Sequence, residues 1–378
     1  MTQDHLAQVY AQFPIDVIDG AGVYLHTSDQ RKILDLYGGH AVAALGYGHP
    51  RWVKTLTEQA QALAFQSNAV ALAVRERSAA KLAAFCGLGL NKTFFVNSGA
   101  EANENALRLA LKITGRLEVI AVEGSFHGRT AAAGAVTWGA DKKWYGFPQK
   151  PFDVTFIPPD DNAAGVAVTT KTAAIIVEPV QGVAGAVTMP QSFLQTLRRR
   201  ADETGAILIF DEVQCGMGRM GHPFAANMYG VTPDIITTAK ALGAGFPVSA
   251  MMMNDKISGT LKNEALGTTF GGGPMACALV EAVIDIIQSE NLLANVQQRE
   301  QQIRATCIIG PVTAVQGAGL LLGLRTTRPA KEVQVELLRH DILVGTSADP
   351  HVLRILAPYV LESAHIQQFH HALTQIPA

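Results

Sequence analysis

The chain has 378 residues, 48% of them hydrophobic and 16% charged, with a formal net charge of −2. That composition excludes disorder and suits a large core divided between one large and one smaller domain. With no basic block and no run of about 18 apolar residues, it also argues against nucleic acid or membrane as the main partner.

The chain opens on Met1-Thr2-Gln3-Asp4-His5, with neither a cationic start nor an apolar signal core, so a cytoplasmic protein is the default expectation. Residues 1–40 carry two strand-like pieces, 22–27 and 32–36, and are expected to pack with the smaller domain. From about residue 80, helical stretches alternate with short apolar runs at 93–96, 118–122, 154–157, 173–177, 206–210, 235–238 and 248–253. This pattern predicts an α/β large domain over 41–274, built on a mostly parallel central sheet covered by helices. Helices are expected over 102–112, 191–203 and 275–290, the last leading into a small α+β domain over 275–378. That domain should hold a strand at 317–324, an amphipathic segment at 332–338 and a strand at 352–355. The four cysteines (Cys86, Cys215, Cys277, Cys307) form no CxxC pair, and packed thiols are expected ahead of disulfides or a metal site.

Chemistry concentrates at strand ends. Lys240 follows the apolar run 235–239 and precedes the glycine-rich turn 242–247, an unusual place for a solvated cation. Upstream, the run 206–210 delivers Asp211 and Glu212. A reactive amine and a buried carboxylate on neighbouring strands are what pyridoxal phosphate needs. The amine forms a Schiff base, and the acid keeps the ring nitrogen protonated so that the ring acts as an electron sink. Asp211 is the better partner for that nitrogen, Gln214 suits the phenolic oxygen, Val213 can pack on the ring, and Glu212 can satisfy buried backbone groups.

The run 97–104, NSGAEANE, lies between a strand and a helix. Ser98 with Glu101 reads as a capping box, while free N–H groups at Gly99 and Ala100 would make an anion site. In 125–130, SFHGRT, Phe126 can stack on a flat cofactor, and Arg129 either forks a carboxylate or closes a structural ion pair. His127 suits a structural role, because a Schiff-base lysine can itself move the proton. In 267–274, GTTFGGGP, the two hydroxyls could complete a phosphate site, Thr269 more so than Thr268. Arg354, a lone cation in an apolar run, is either a carboxylate clamp or a buried structural ion pair.

Together with EPVQG at 178–182, FDEVQCGMGR at 210–219 and AKALGAGFP at 239–247, these segments resemble the class III, ornithine/acetylornithine-type aminotransferases of pyridoxal-phosphate fold type I, from about residue 14 to 360. The resemblance implies that Lys240 carries the cofactor, Asp211 pairs with its ring nitrogen, Phe126 stacks on it, and Gly99 and Ala100 bind its phosphate. It implies that Thr269 reaches the site of a neighbouring subunit, hence a homodimer with shared sites. Arg129 would grip the donor's α-carboxylate, Arg354 that of glutamate, and Thr268 the acylornithine. The implied reaction is transamination of an N2-acylornithine with 2-oxoglutarate in arginine biosynthesis. Succinylornithine, ornithine, 4-aminobutyrate or carrier-bound lysine are alternative donors, and an aminomutase is the alternative of another class.

Two positions depart from the pattern. An acid usually follows EPVQG and pairs with the arginine matching Arg354; here it is Val183. That predicts an uncompensated Arg354, and either a donor with an extra anionic group or tighter glutamate and 2-oxoglutarate binding. His40 stands where ornithine enzymes tend to carry a tyrosine and acetylornithine enzymes a small or aliphatic residue. It would contact the acyl end of the substrate or be a core histidine.

Overall fold

A computed structural model describes residues 5–378; Met1–Asp4, where the start of the chain was read for a signal segment, lie outside the described residues. The centre is a seven-stranded sheet. Its order is Lys92–Val96, Ser249–Met253, Ile235–Thr238, Ile207–Asp211, Thr172–Val177, Glu118–Val122, Asp153–Ile157. Only Ser249–Met253 runs against its neighbours, pairing antiparallel with both Ile235–Thr238 and Lys92–Val96. The other four pairings are parallel.

The strands read as near-continuous apolar runs because helices cover both faces of the sheet. Alternate residues divide cleanly between two cores. Ile120, Val122, Ile175, Val177, Leu208, Phe210 and Ile236 face one layer. Val119, Ala121, Ala174, Ile176, Ile207, Ile209 and Ile235 face the other. Each fully buried side chain of this size stabilises by roughly 1.5–3 kcal/mol.

The expected helices are present as Gly99–Thr114, Gln191–Thr204 and Pro274–Ser289. The first two stop where Gly115 and Gly205 adopt φ of 68° and 73°, a left-handed exit that costs glycine little. Pro274 opens the third at its first turn, where a missing N–H costs nothing.

Three strands lead the chain: Val17–Ala21, Tyr24–Thr27 and Lys32–Asp35. The last of them pairs in parallel with Ile342–Leu343, so the two ends of the chain share a sheet. A second four-stranded sheet holds Val312–Ala318, Leu321–Thr326, Val352–Ile355 and Gly345–Thr346, and Arg354 lies on its third strand. One expectation is corrected here. The run 317–324 is not one strand but a hairpin corner, with Val312–Ala318 paired antiparallel to Leu321–Thr326. Gly319 turns the chain at φ 58°, and apolar residues on both arms hid the reversal. No helix of the described residues is long and apolar enough to cross a membrane.

Candidate functional site

Five chain segments leave the parallel strands at the same edge of the central sheet. They carry residues 97–100, 126–129, Glu178, 211–214 and 239–240. The reversed strand Ser249–Met253 brings its N-terminal end to that edge, adding Phe246, Pro247 and Val248. Together they line a cavity of about 480 Å³. Ligands of such sheets bind beyond the carboxyl ends of the strands for this reason.

Asp211 and Lys240 become neighbours through register. Asp211 ends its strand opposite Thr237 of the next one, and Lys240 follows three residues later. Lys240 opens a short 3₁₀ turn with φ of 45°, a conformation costly for a residue with a Cβ. Its amine has no hydrogen-bond or ion-pair partner among the described residues. Burial pushes its pKa below the ordinary lysine value, against the pull of Asp211 and Glu178.

The Asp211 carboxylate is 3% exposed and held on every side. Oδ2 accepts from Asn103 Nδ2 and lies beside His127 Nδ1, both at 2.7 Å. Oδ1 accepts from Val213 N at 3.0 Å. Asn103 is itself fixed, because its Oδ1 accepts from Thr237 Oγ1 at 2.6 Å and its Nδ2 also reaches His127 O at 2.8 Å. His127 is fully buried and its Nε2 has no partner. The histidine therefore orients the carboxylate, in line with the structural role expected of it.

At the start of helix Gly99–Thr114, Ser98 Oγ accepts from Glu101 N at 3.2 Å. The Glu101 carboxylate accepts from Asn97 N at 2.9 Å. Only half of the expected capping box forms, since Glu101 reaches Asn97 N instead of Ser98 N, and the N–H groups at Gly99 and Ala100 stay free of the cap. A Cβ at Gly99 would come 2.6 Å from Val213 Cγ1, and one at Gly182 would fall 1.5 Å from Gln214 Oε1. Val213 and Gln214 already fill the space beside these two glycines, so neither position admits a Cβ as the chain stands.

Of the expected site residues, Ser98, Gly99, Ala100, Phe126, Arg129, Asp211, Val213, Gln214 and Lys240 line this one cavity. Four lie off its lining. Thr269 is exposed on this chain, and the Thr268 hydroxyl accepts from Gly271 N at 3.2 Å and from Asn97 Nδ2, a lining residue, at 3.5 Å. His40 is exposed, which removes the core-histidine alternative. Its ring lies 2.8 Å from the Tyr37 hydroxyl, and its carbonyl accepts from Gln214 Nε2 at 3.3 Å.

Arg354 is 6% exposed, and its guanidinium donates to two backbone carbonyls, Thr346 O at 2.6 Å and Gly182 O at 3.4 Å. It forms no ion pair among the described residues. Burial lowers its pKa, opposed by Tyr37 and Glu178. Val183, beside Gly182, lines the cavity and offers no charge. Arg354 thus lacks an ion pair, while Glu178 acts on it through space.

Glu178 and Glu212 do different work. Glu178 accepts from Phe126 N at 2.8 Å, fixing the backbone of Phe126, and burial pushes its pKa up to about 7. Glu212 accepts from Ala225 N and from Ala226 N at 2.8 Å, capping the helix Ala225–Tyr229, and burial raises it to about 8. The sequence reading gave no part to Asn103 or Glu178. Asn103 was detectable: it shares a helix face with Ala106, Leu107 and Ala110, where a polar residue needs a reason. All four cysteines are free and buried.

The "Aminotransferase class-III" family profile matches residues 6–376. The chain is 39% identical over 375 residues to acetylornithine aminotransferase 1 of Pseudomonas syringae pv. tomato, covering 95% of this chain and 92% of that one. Its fold is similar to acetylornithine aminotransferase from Elizabethkingia anophelis, at TM-score 0.86 and 28% identity, covering 98% and 96% of the two chains. It is similar also to ornithine aminotransferase from Toxoplasma gondii, at TM-score 0.90 and 25% identity, covering 98% and 91%; the active site of that protein holds PLP in partial occupancy.

Proposed function

Since the chain belongs to the class-III aminotransferases, we propose that it is a pyridoxal-phosphate enzyme moving the terminal amine of an N2-acylornithine, acetylornithine foremost, to 2-oxoglutarate in arginine biosynthesis. It would work in the cytoplasm as a homodimer. One observation carries this reading: a partly buried amine with no partner among the described residues and a thrice-held carboxylate share one cavity, with Arg129 on its wall and Arg354 bonded to the Gly182 carbonyl next to the lining residue Val183.

The residues fit the cofactor. The helix start at Ser98, Gly99 and Ala100 faces the cavity, and Lys240 and Asp211, of opposite sign, face the same space without bonding each other. When bound, pyridoxal phosphate supplies an aldehyde for amine exchange and a ring that withdraws electrons. Ser98, Gly99 and Ala100 would bind its phosphate at the positive end of the helix. Phe126 and Val213 would bound its faces, Gln214 its hydroxyl, and Asp211 would hold the proton on its nitrogen. Lys240 would carry the proton off the donor's amine-bearing carbon, a transfer helped by an amine whose pKa burial has lowered. Arg129 would fork the donor's α-carboxylate, leaving the distal amine at the reacting centre. Arg354 would receive the α-carboxylate of glutamate, while His40 and Thr268 would border the acyl end. Thr269, exposed on this chain, would serve the partner's cofactor.

A panel of acetylornithine, succinylornithine, ornithine, acetyllysine and 4-aminobutyrate, each with 2-oxoglutarate, tests the assignment. Acetylornithine should give the highest kcat/KM, and a clear preference for 4-aminobutyrate would overturn the reading. Amine migration without any keto acid would mark an aminomutase instead.

The lone Arg354 sharpens the expectation for the acceptor. Because Val183 leaves that cation unneutralised, Val183→Glu should raise the KM for 2-oxoglutarate by about ten-fold, the scale of one charged hydrogen bond. The donor panel would be repeated on the variant. Unchanged donor choice together with unchanged KM for both acids would remove Val183 from the specificity argument.

A further inference from the structure

Among the described residues no acid bonds Arg129, yet it is not loose. Its guanidinium carbon lies 4.7 Å from the centroid of the Trp144 ring. Trp144 in turn lies 6.4 Å from the Phe126 ring, tilted by 57°. The three side chains form a row: the aromatic on the cavity wall, the indole behind it, and the cation at the mouth. Arg129 forms no ion pair among the described residues.

The loop that carries Trp144 is built to present it. Trp144 N and Tyr145 N both donate to Ala140 O, at 2.9 and 3.0 Å. Tyr145 Oη donates to Ala131 O at 2.7 Å, tying the loop back to the helix Ala131–Ala135. Gly134 on that helix leaves the room: a Cβ there would come 3.0 Å from the Tyr145 ring and 3.4 Å from Trp144 Cζ3. The indole is thus pinned from beneath by a residue with no side chain.

We propose that Trp144 is the positioning residue that sets Arg129 for a donor carrying an α-carboxylate. This rests on the reading of Arg129 as the donor's carboxylate clamp. A free arginine side chain samples many rotamers, and much of its binding strength is lost in ordering it. Stacked on a π-face, the guanidinium gives up one flat side and keeps its in-plane N–H edges for a bidentate carboxylate. The indole touches no reacting atom, so its effect belongs to donor binding and not to the chemical step.

The test uses the cofactor-loaded enzyme, with steady-state kinetics for acetylornithine and 2-oxoglutarate. Trp144→Leu should raise the donor KM by about ten-fold, equivalent to ~1.4 kcal/mol, with kcat and the acceptor KM changed by less than about two-fold. Trp144→Gln, which keeps bulk without a π-face, should do the same if the leucine variant fails to fold. Trp144→Phe should restore the parent donor KM. In an Arg129→Ala background, Trp144→Leu should add nothing further. If Arg129→Ala raises the donor KM and neither Trp144→Leu nor Trp144→Gln does, the positioning role is overturned while the clamp stands. If Arg129→Ala leaves the donor KM unchanged, the clamp itself falls, and the role of Trp144 with it.

Discussion

Lys240→Ala should lower kcat by at least roughly 10³-fold, within the range set by losing a positioned proton carrier and nucleophile. Lys240 is the only lysine lining the cavity, and its amine is unpaired. Burial already disfavours its charged form, so a neutral amine is present below the pH at which an exposed lysine would supply one. The fold should survive the change. Alanine meets the same penalty at φ 45° that lysine meets, and no hydrogen bond is lost. The measurements are kcat on acetylornithine with 2-oxoglutarate, the thermal midpoint, and the visible absorbance of lysine-linked cofactor. Retention of kcat within about ten-fold, with the midpoint unchanged, would exclude Lys240 as the proton carrier.

The second large effect is expected at Asp211. Asp211→Asn should lower kcat by about 10²–10³-fold, the size of losing one preorganised charge where charge develops. It should also destabilise the protein. An asparagine can accept from Val213 N in place of Oδ1, but its NH₂ would then face Asn103 Nδ2 and the His127 ring. A donor set against a buried donor costs about 1–3 kcal/mol. Paired kinetics and urea unfolding separate the two consequences. Full stability with full activity would show that the charge at this position does not matter to the reaction.

The fold was legible where one physical signal governed each segment. Seven apolar runs bounded by turn residues became the seven strands of the central sheet, because both faces are buried and no alternation was needed to mark them. The hairpin at 319–320 was not legible, since the apolar pattern continues across a turn that one glycine makes. The cavity residues were readable because each follows a strand end, a place that sequence marks well. What sequence left out was the layer behind them. Asn103 acts through a helix face and Glu178 through a backbone N–H of Phe126. Trp144 reaches Arg129 across a loop whose course no periodicity encodes.

The one reversed strand has a consequence for how the molecule is made. Ser249–Met253 sits between Lys92–Val96 and the rest of the sheet. The first strand of that sheet to leave the ribosome is therefore the one with no edge to join until the last has emerged. A nascent fragment ending before Ser249 lacks both the strand that Lys92–Val96 pairs with and the Ser249 hydroxyl bond to the Ser98 carbonyl. Long-range closure of this kind is slow and exposes apolar strands in the meantime. The edge that carries residues 97–100 is thus completed last, after the whole sheet has been made.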